Sequence, residues 1–260
     1  MSQLTTLDMN IFPLFLPNSA GTYESNSALA IQTINQTIPF LNSLIESVSG
    51  IPTQIKDINQ FARNNDAVSA SEELKVILDS YGSDKALWHN YHLLYGEILK
   101  NKDSIKYVLE VGLGTNNTDV VSNMGENGKP GASLRAFRDF LPNAKIFGAD
   151  IDVRILFKED RIETFFVDQT KPETFELLRK NTPDEFDLII DDGLHSVDAN
   201  IQTLKFALAK VRAGGWVVIE DISNFALPIW NVVATVLPVR FESHLIEAIG
   251  GNLFAVQKLY

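Results

Sequence analysis

The chain has 260 residues, 45% hydrophobic and 21% charged, a mixture that is typical of globular proteins and excludes a disordered or fibrous chain. Its 33 acidic residues outnumber 22 lysines and arginines, and the formal net charge of −11 predicts no binding to nucleic acid, since a polyanion would be repelled. The absence of cysteine excludes disulfides and thiolate metal sites, and together with the lack of a membrane span or a signal-peptide pattern it predicts a cytoplasmic protein without membrane contact.

Residues 1–80 differ from the rest of the chain, because they combine Asn- and Ser-rich turns with amphipathic stretches. Apolar residues recur at steps of three and four over residues 28–49, which predicts a helix, and a second helix is predicted near residues 70–81. No residue in this segment suggests chemistry. We interpret residues 1–80 as a helical cap or a surface for a homo-oligomer, with a substrate lid as the alternative.

Short apolar segments alternate with helix-length amphipathic ones from residue 105 onward. They are apolar on both faces, as buried parallel strands are, and they occupy residues 107–111, 145–149, 164–167, 186–190 and 216–219. The last two segments, near residues 236–241 and 252–258, are too close together for a crossover helix and predict an antiparallel hairpin at one edge.

The predicted fold class is α/β, with a Rossmann-like, doubly wound sheet of seven mostly parallel strands and a helical N-terminal extension. The predicted domains are the N-terminal region, residues 1–80, and the sheet domain, residues 81–260.

Ligands of open parallel sheets bind beyond the carboxyl ends of the strands. Gly112 and Gly114 follow the first strand and allow a tight turn near a ligand, but a dinucleotide fingerprint needs a third glycine where Asn117 stands. Glu110 at this strand end suits the ammonium group of an amino-acid-like cofactor. Asp150 after the second strand suits the hydroxyls of a ribose.

The third strand ends at Asp168 and Gln169, which suit an adenine edge. Acidic residues at successive strand ends resemble the class I S-adenosylmethionine-dependent methyltransferases, and the reversed final hairpin agrees with their fold. The resemblance covers residues 80–260 and implies S-adenosylmethionine as the cofactor. The long glycine-rich loop 116–133 is interpreted as a lid over cofactor and substrate, with a surface excursion as the alternative.

Acidic residues also follow the fourth and fifth strands, which are neighbours in the predicted topology. Asp191, Asp192 and His195 follow the fourth strand, and Glu220 and Asp221 end the fifth. Crowded carboxylates on an apolar scaffold require a cation, and oxygen ligands favour Mg²⁺ or another hard divalent ion. We predict Asp192, Glu220 and Asp221 as its ligands; one of Asp191 and Asp192 instead orients the cofactor or the loop. His195 is predicted to be the general base.

The spacing Asp192-x-x-His195, followed by Glu220-Asp221 after the next strand, resembles the metal-dependent sugar O-methyltransferases of macrolide biosynthesis, the mycinamicin type. The resemblance implies that the first acid and the Glu-Asp pair bind Mg²⁺ and that the histidine is the base.

The segment Tyr-Gly-Ser-Asp-Lys at residues 81–85, with His89 and Tyr91, also looks like that family. Ser83 stands where related proteins usually carry threonine, so the hydroxyl is kept. We expect this segment to close over the cofactor.

These patterns predict transfer of a methyl group from S-adenosylmethionine to a hydroxyl, of a vicinal diol, on a sugar or other secondary metabolite. The partner is then a glycosylated or polyketide-type small molecule, and the apolar Phe225, Leu227 and Trp230 either line its apolar part or belong to the core. Alternatives are a catechol or polyketide hydroxyl as acceptor, and a non-catalytic scaffold that binds S-adenosylmethionine. A nicotinamide oxidoreductase would explain Gly112 and Asp150 but not the acids after the fourth and fifth strands.

Overall fold

The structure is a computed structural model, and it describes residues 22–49 and 54–260. The described residues form two compact units. One contains residues 22–49 and 227–236, and the other contains residues 54–226 and 237–260.

The larger unit is built on a nine-stranded sheet. In chain order the strands are β1 (Ile55–Asp57), β2 (Tyr107–Val111), β3 (Lys145–Asp150), β4 (Lys158–Glu159), β5 (Ile162–Phe166), β6 (Phe186–Asp191), β7 (Val211–Ile222), β8 (Phe241–Ala248) and β9 (Gly251–Lys258). They lie in the order β1-β8-β9-β7-β6-β2-β3-β5-β4. Neighbours among β7, β6, β2, β3 and β5 are parallel, whereas β9 is antiparallel to both β7 and β8.

The predicted doubly wound sheet with an antiparallel edge hairpin is confirmed, but the number of seven strands is wrong. Two short strands extend the edges: β1 pairs parallel with β8, and β4 pairs antiparallel with β5. Strands of three and two residues are too short to show a periodicity, so the sequence carries no signal for them.

The predicted hairpin strand at residues 236–241 is also misplaced, because a helix occupies Leu227–Val236 and β8 begins at Phe241. Pro228 lies in the first turn of that helix, where its missing N–H costs no hydrogen bond.

Helices cover the sheet and supply the loops at its carboxyl edge. In chain order they are α1 (Tyr23–Ser49), α2 (Asn65–Tyr81), α3 (Asp84–Leu87), α4 (His92–Leu99), α5 (Ala132–Phe140), α6 (Pro172–Asn181), α7 (Val197–Lys210) and α8 (Leu227–Val236). Helix α2 packs against α4 and α5. It begins at Asn64, whose side chain accepts a hydrogen bond from the amide of Ala67, and it ends at Gly82 in the left-handed conformation. This C-terminal turn directs residues 83–91 away from α2.

Helices α1 and α8 form the smaller unit, in which the side chains of Asn42 and Asn231 are hydrogen-bonded. The predicted helix over residues 28–49 is confirmed and begins earlier, at Tyr23. Large apolar side chains of α1, including Phe40 and Leu44, are exposed, and Trp230 of α8 is buried. Strand β1 and helix α2 belong to the unit of the sheet rather than to this one. None of the helices in the described part of the chain combines the length and the hydropathy needed to cross a bilayer.

Candidate active site

A cavity of about 1070 Å³ opens at the carboxyl edge of the sheet. The strand ends meet there in register, because Val111 lies beside both Ala149 and Asp191, and Asp191 lies beside Ile219. Most of the predicted site residues line the cavity: Gly112, Gly114, Asp150, Asp168, Gln169, Asp192, His195 and Asp221. The others, Ser83, Glu110, Asp191 and Glu220, are buried and are absent from its lining.

Asp150 holds the turn that follows β2. Its Oδ2 accepts a hydrogen bond from the amide of Leu113 at 2.7 Å, and its Oδ1 accepts one from the amide of Asp152 at 2.8 Å. Burial raises the pKa of the Asp150 carboxyl group. Both oxygens keep further lone pairs, so this fixed carboxylate in the cavity wall can still accept hydrogen bonds from a ligand.

Gln169 lines the cavity, but its amide is used within the chain. Its Oε1 accepts a hydrogen bond from the amide of Leu194 at 2.8 Å, and its Nε2 donates to Oδ1 of Asp191 at 2.8 Å and to Thr203. Asp168 is held similarly by Thr170. The described side chain of Gln169 therefore braces the loop after β6 and offers its face, rather than its polar atoms, to the cavity.

Asp191 is fully buried at the end of β6. Its carboxylate accepts hydrogen bonds from Gln169, from Asn200 at 3.1 Å and from the amide of Gly193 at 3.2 Å. Of the two roles predicted for the acid that holds no metal, these contacts match the orientation of the loop and not contact with a cofactor. Asp191 is not part of the cavity lining, and its role as a cofactor-binding residue stays a prediction.

Gly112 and Gly114 are required by the chain itself. Gly112 has a φ of +99°, and a Cβ built on it would lie 1.9 Å from the backbone oxygen of Asp192. A Cβ on Gly114, at a φ of +71°, would lie 2.3 Å from Sδ of Met124. Gly112 therefore lets the loop after β2 approach the loop after β6, and Gly114 leaves room for Met124 of its own loop. Both glycines line the cavity, and their approach to a ligand stays a prediction.

Substitution of Gly112 by alanine is expected to destabilise the protein more than substitution of Gly125. Gly125 has the same left-handed backbone, with a φ of +71°, but no atom within 4 Å of its built Cβ. G125A therefore measures the cost of the backbone alone, about 1–2 kcal/mol. G112A adds a steric clash with backbone, worth about 1–3 kcal/mol more in overpacked sites. Urea unfolding of both variants checks this, and equal losses would show that the close approach at Gly112 carries no energy.

Asp192, His195 and Asp221 converge on one side of the cavity. Nε2 of His195 lies 3.9 Å from Oδ1 of Asp192 and 3.8 Å from Oδ2 of Asp221, and one potential ligand atom from each of the three lies within 4.8 Å of the others. His195 and Asp221 both have a φ of 55°, an uncommon conformation for residues other than glycine. Such strained positions cluster at functional sites.

Asp221 and its neighbour Glu220 have different environments at the end of β7. Successive side chains of a strand point to opposite faces, and the pairing of β7 with β9 also shifts register between Ile219 and Ile222. Asp221 is partly exposed at the cavity, whereas Glu220 is 1% exposed and pairs with Lys85. Glu220 therefore lies outside the group formed by Asp192, His195 and Asp221, although the sequence predicted it as a metal ligand.

Lys85 belongs to the acidic cluster at the strand ends, although it was not among the residues predicted for the site. Its side chain is 2% exposed, and its Nζ lies 2.6 Å from Asp192, 3.1 Å from Glu110 and within hydrogen-bonding distance of Glu220. Burial lowers the pKa of Lys85, but the three carboxylates more than offset this effect and hold the pKa well above its ordinary value. The acidic cluster is thus partly neutralised by an ammonium group of the same chain. The signal was present in the segment at residues 81–85.

Glu110 and Glu220, the two fully buried acids that pair with Lys85, have further hydrogen-bond partners. Glu110 accepts a hydrogen bond from Ser133 at 2.7 Å, and Glu220 accepts one from the buried hydroxyl of Tyr95. Glu110 is fully buried, and the ammonium group that it contacts in the structure is that of Lys85. Its attraction of a cofactor ammonium group, directly or through water, stays a prediction.

Residues 83–91 run beside the acidic cluster. Ser83 caps the short helix α3, where its hydroxyl accepts a hydrogen bond from the amide of Lys85, and it does not reach the cavity. Tyr91 donates a hydrogen bond to Oδ1 of Asp221 at 2.5 Å, and its ring stacks on His89. Burial raises the pKa of Tyr91, so its hydroxyl stays protonated as a donor.

The loop between β2 and α5 contains neither helix nor strand, as predicted, and residues 120–124 line the cavity. It is tied to the strand ends: Ser122 donates to the carbonyl of Gly193 at 2.8 Å, and the amide of Met124 donates to the carbonyl of Thr115 at 2.8 Å. Phe225, predicted as a possible acceptor contact, is 96% exposed and is not part of the lining.

Comparisons with known proteins give both a sequence and a structural likeness. The chain is 31% identical over 173 residues to the 8-demethyl-8-(2-methoxy-alpha-L-rhamnosyl)-tetracenomycin-C 3'-O-methyltransferase of Streptomyces olivaceus, a match that covers 65% of this chain and 42% of the relative. It is 40% identical over 94 residues to the mycinamicin VI 2''-O-methyltransferase of Micromonospora griseorubida, covering 35% of this chain and 23% of the relative. The chain thus spans less than half of the length of these curated relatives. No protein-family model matches the sequence.

Among solved structures, the MycE methyltransferase of the mycinamycin pathway, in complex with Mg and S-adenosylhomocysteine, superposes with a TM-score of 0.57 at 23% identity, covering 72% of this chain and 54% of MycE. A second MycE structure, which also contains mycinamycin VI, has a TM-score of 0.57 at 23% identity and covers 76% of this chain and 55% of MycE. At this identity the likeness establishes the fold. The predicted resemblance is confirmed: the chain has the fold of the class I S-adenosylmethionine-dependent methyltransferases and is similar in sequence to the sugar O-methyltransferases that modify macrolides and tetracenomycins.

Proposed function

We propose that this chain carries a divalent-metal-dependent O-methyltransferase site that moves a methyl group from S-adenosylmethionine to a sugar hydroxyl of a glycosylated polyketide. The observation that carries the proposal is the convergence of Asp192, His195 and Asp221 in the same cavity as the Gly112 turn and Asp150. The metal site and the cofactor site would then lie at two ends of the same cavity, along the carboxyl edge of the sheet. The methyl group moves only if both lie within reach of each other, which this arrangement allows.

The cofactor end fits an adenosine-containing ligand. Asp150 offers spare lone pairs to ribose hydroxyls, and the cavity is large enough for a cofactor and an acceptor together, since drug-sized ligands fill pockets of about 300–1,000 Å³. The loop 116–131, anchored at Ser122 and Met124, would serve as the lid. S-adenosylmethionine supplies an electrophilic methyl group when bound.

The metal end fits a hard cation. Asp192 and Asp221 each present a carboxylate oxygen to the cavity, and such oxygens suit Mg²⁺. A bound divalent ion would lower the pKa of an acceptor hydroxyl. We propose Asp192 and Asp221 as its ligands; Glu220, which is paired with Lys85 and Tyr95, stays a prediction as the third.

His195 would remove the proton of the acceptor hydroxyl. Its imidazole is partly exposed to the cavity and lies between two carboxylates, which stabilise the imidazolium that forms. His195 has a positive φ, and its Nε2 lies 3.8 Å from Oδ2 of Asp221. His195 therefore acts as acceptor of the proton, while the loop braced by Asp191 holds it in place.

The acceptor class is proposed from the relatives and from the cavity wall. The two curated relatives are named for hydroxyl methylation of rhamnosyl-tetracenomycin and of mycinamicin. Exposed apolar side chains, Trp88, Val121 and Ile249, belong to the lining and fit an acceptor with an apolar body. A catechol or plain polyketide hydroxyl is the alternative acceptor. Location in the cytoplasm and assembly as a homo-oligomer stay predictions.

The test is a methyl-transfer assay with labelled S-adenosylmethionine and three probe acceptors: mycinamicin VI, the rhamnosylated tetracenomycin and a catechol. We expect label in a glycosylated acceptor, loss of activity after EDTA treatment, and recovery when Mg²⁺ is added, because the acceptor hydroxyl is otherwise too weakly acidic. Calorimetry with S-adenosylhomocysteine and NAD side by side measures cofactor choice independently of the acceptor.

Each outcome separates the alternatives. Full turnover in EDTA would remove the metal from the proposal, and methylation of the catechol alone would replace the sugar. Binding of NAD instead of S-adenosylhomocysteine would identify an oxidoreductase. Binding of S-adenosylhomocysteine without methylation of any of the three acceptors would favour a non-catalytic scaffold.

A further inference from the structure

Residues 85–91 contact both of the acids that face the cavity, and each contact occupies one carboxylate oxygen. Lys85 Nζ lies 2.6 Å from Oδ2 of Asp192. The Tyr91 hydroxyl donates to Oδ1 of Asp221 at 2.5 Å. Neither Lys85 nor Tyr91 lines the cavity. The contacts therefore reach the two acids from behind.

The remaining oxygens of the two acids face each other across the imidazole. Oδ1 of Asp192 is 3.9 Å from Nε2 of His195, and Oδ2 of Asp221 is 3.8 Å from the same atom. Oδ2 of Asp192 and Oδ1 of Asp221 are thus bonded to protein donors, whereas Oδ1 of Asp192 and Oδ2 of Asp221 face His195. A carboxylate oxygen that is bonded to a protein donor is a weaker ligand than the other oxygen of the same group and is turned away from the cavity. Each acid is therefore directed to bind a cation through its other oxygen.

Both donors are themselves held firmly. Lys85 is anchored by Glu110 and Glu220 in addition to Asp192. Tyr91 is 1% exposed and stacks on the ring of His89 at 5.1 Å between centroids. Rigid donors of this kind transmit their own position to the groups that they bind.

We propose that Lys85 and Tyr91 are positioning residues that present Asp192 and Asp221 as one-oxygen ligands to the divalent cation of the proposed function, on which this inference rests. Two one-oxygen ligands leave more of the coordination sphere of a six-coordinate ion open than two chelating carboxylates would. Open positions are what an acceptor with two neighbouring hydroxyls requires. The segment 85–91 is therefore part of the metal site without touching the metal.

The test compares Tyr91→Phe with Tyr81→Phe in the full chain. Both tyrosines donate a hydrogen bond to a carboxylate at 2.5 Å, but only Tyr91 binds an acid that lines the cavity, since Tyr81 binds Asp139. Mn²⁺ is the probe, and its free concentration is read from its electron paramagnetic resonance signal. Loss of an outer-shell partner typically weakens metal binding about 10–100-fold, so we expect this loss for Y91F and wild-type affinity for Y81F.

A second measurement does not depend on affinity. Infrared difference spectra with and without Mg²⁺ distinguish carboxylates that bind through one oxygen from those that chelate, by the splitting of their two stretching bands. We expect one-oxygen bands in the wild-type chain and a chelating band in Y91F, because Oδ1 of Asp221 is then free.

The outcomes distinguish this inference from the proposed function. If the wild-type chain binds no Mn²⁺, the proposed metal dependence fails and the inference falls with it. If the wild-type chain binds Mn²⁺ and Y91F binds it equally well with unchanged bands, the inference alone is overturned. Equal weakening in Y91F and Y81F would show a general effect of removing a tyrosine hydroxyl and would also overturn it.

Discussion

Replacement of His195 by alanine is expected to lower the turnover of methyl transfer by about 100- to 10,000-fold, the usual contribution of a general base. Alanine removes the imidazole that lies between Asp192 and Asp221 and leaves both carboxylates in place. The strand ends that form the proposed cofactor half of the cavity lie apart from this imidazole, at the Gly112 turn and Asp150. Affinity for S-adenosylhomocysteine should therefore stay at the wild-type value. Initial rates and calorimetry measure the two quantities separately.

Two further variants make this result specific. His244→Gln removes an imidazole that pairs with Lys56 and Glu242 outside the cavity lining, and it should keep wild-type turnover. Asp150→Ala should show the opposite pattern to His195→Ala, with weakened binding of S-adenosylhomocysteine, since Asp150 lies at the cofactor end. Wild-type turnover of His195→Ala would contradict its role as the base.

Replacement of Lys85 by methionine is expected to destabilise the fold by about 3–5 kcal/mol, because it leaves buried carboxylates without their counter-charge. Lys85 is 1% exposed and pairs with Glu110, Asp192 and Glu220, of which two are as buried as the lysine itself. A loss of this size is a large part of the 5–15 kcal/mol, roughly, that stabilises an ordinary domain. Urea unfolding followed by circular dichroism measures it.

Lys75→Met is the matched control for Lys85→Met. Lys75 pairs with Asp79 at 3.5 Å on the surface of α2, where both side chains are largely exposed to solvent. Exposed pairs of this kind contribute about 0–1 kcal/mol, so the control should unfold close to the wild-type midpoint. If Lys85→Met unfolds at the same urea concentration as Lys75→Met, the acidic cluster does not depend on its buried ammonium group.

The crowding of acids at adjoining strand ends was predicted from the sequence, but the lysine that pairs with them was not. Such acids need a cation, which was predicted to be a divalent metal ion. The structure contains a cation of the chain itself at this place, the ammonium group of Lys85. Lys85 lies 25 residues before Glu110 in the chain, and no periodicity relates the two. Only the packing of the segment after α2 against the sheet brings its ammonium group to the strand ends.

Glu220 and Asp221 show a second limit. They were predicted as equivalent metal ligands at a strand end, although adjacent residues of a strand point to opposite faces. In the structure Glu220 is buried against Lys85 and Tyr95, and Asp221 lines the cavity. The partners of Glu220 lie 135 and 125 residues earlier in the chain, so the local pattern does not show which of the two acids is turned inward.

The sequence by itself determined the class of the fold, the five long parallel strands, the presence of the final hairpin, and which strand ends carry polar groups. Apolar periodicity and strand-end composition are local properties that follow directly from side-chain burial. Tertiary structure alone decided which of those polar groups face the cavity, which are turned inward to Lys85, and that residues 85–91 lie behind Asp192 and Asp221. These choices depend on long-range pairing and on where each charge finds its partner, and both arise only when distant segments come into contact.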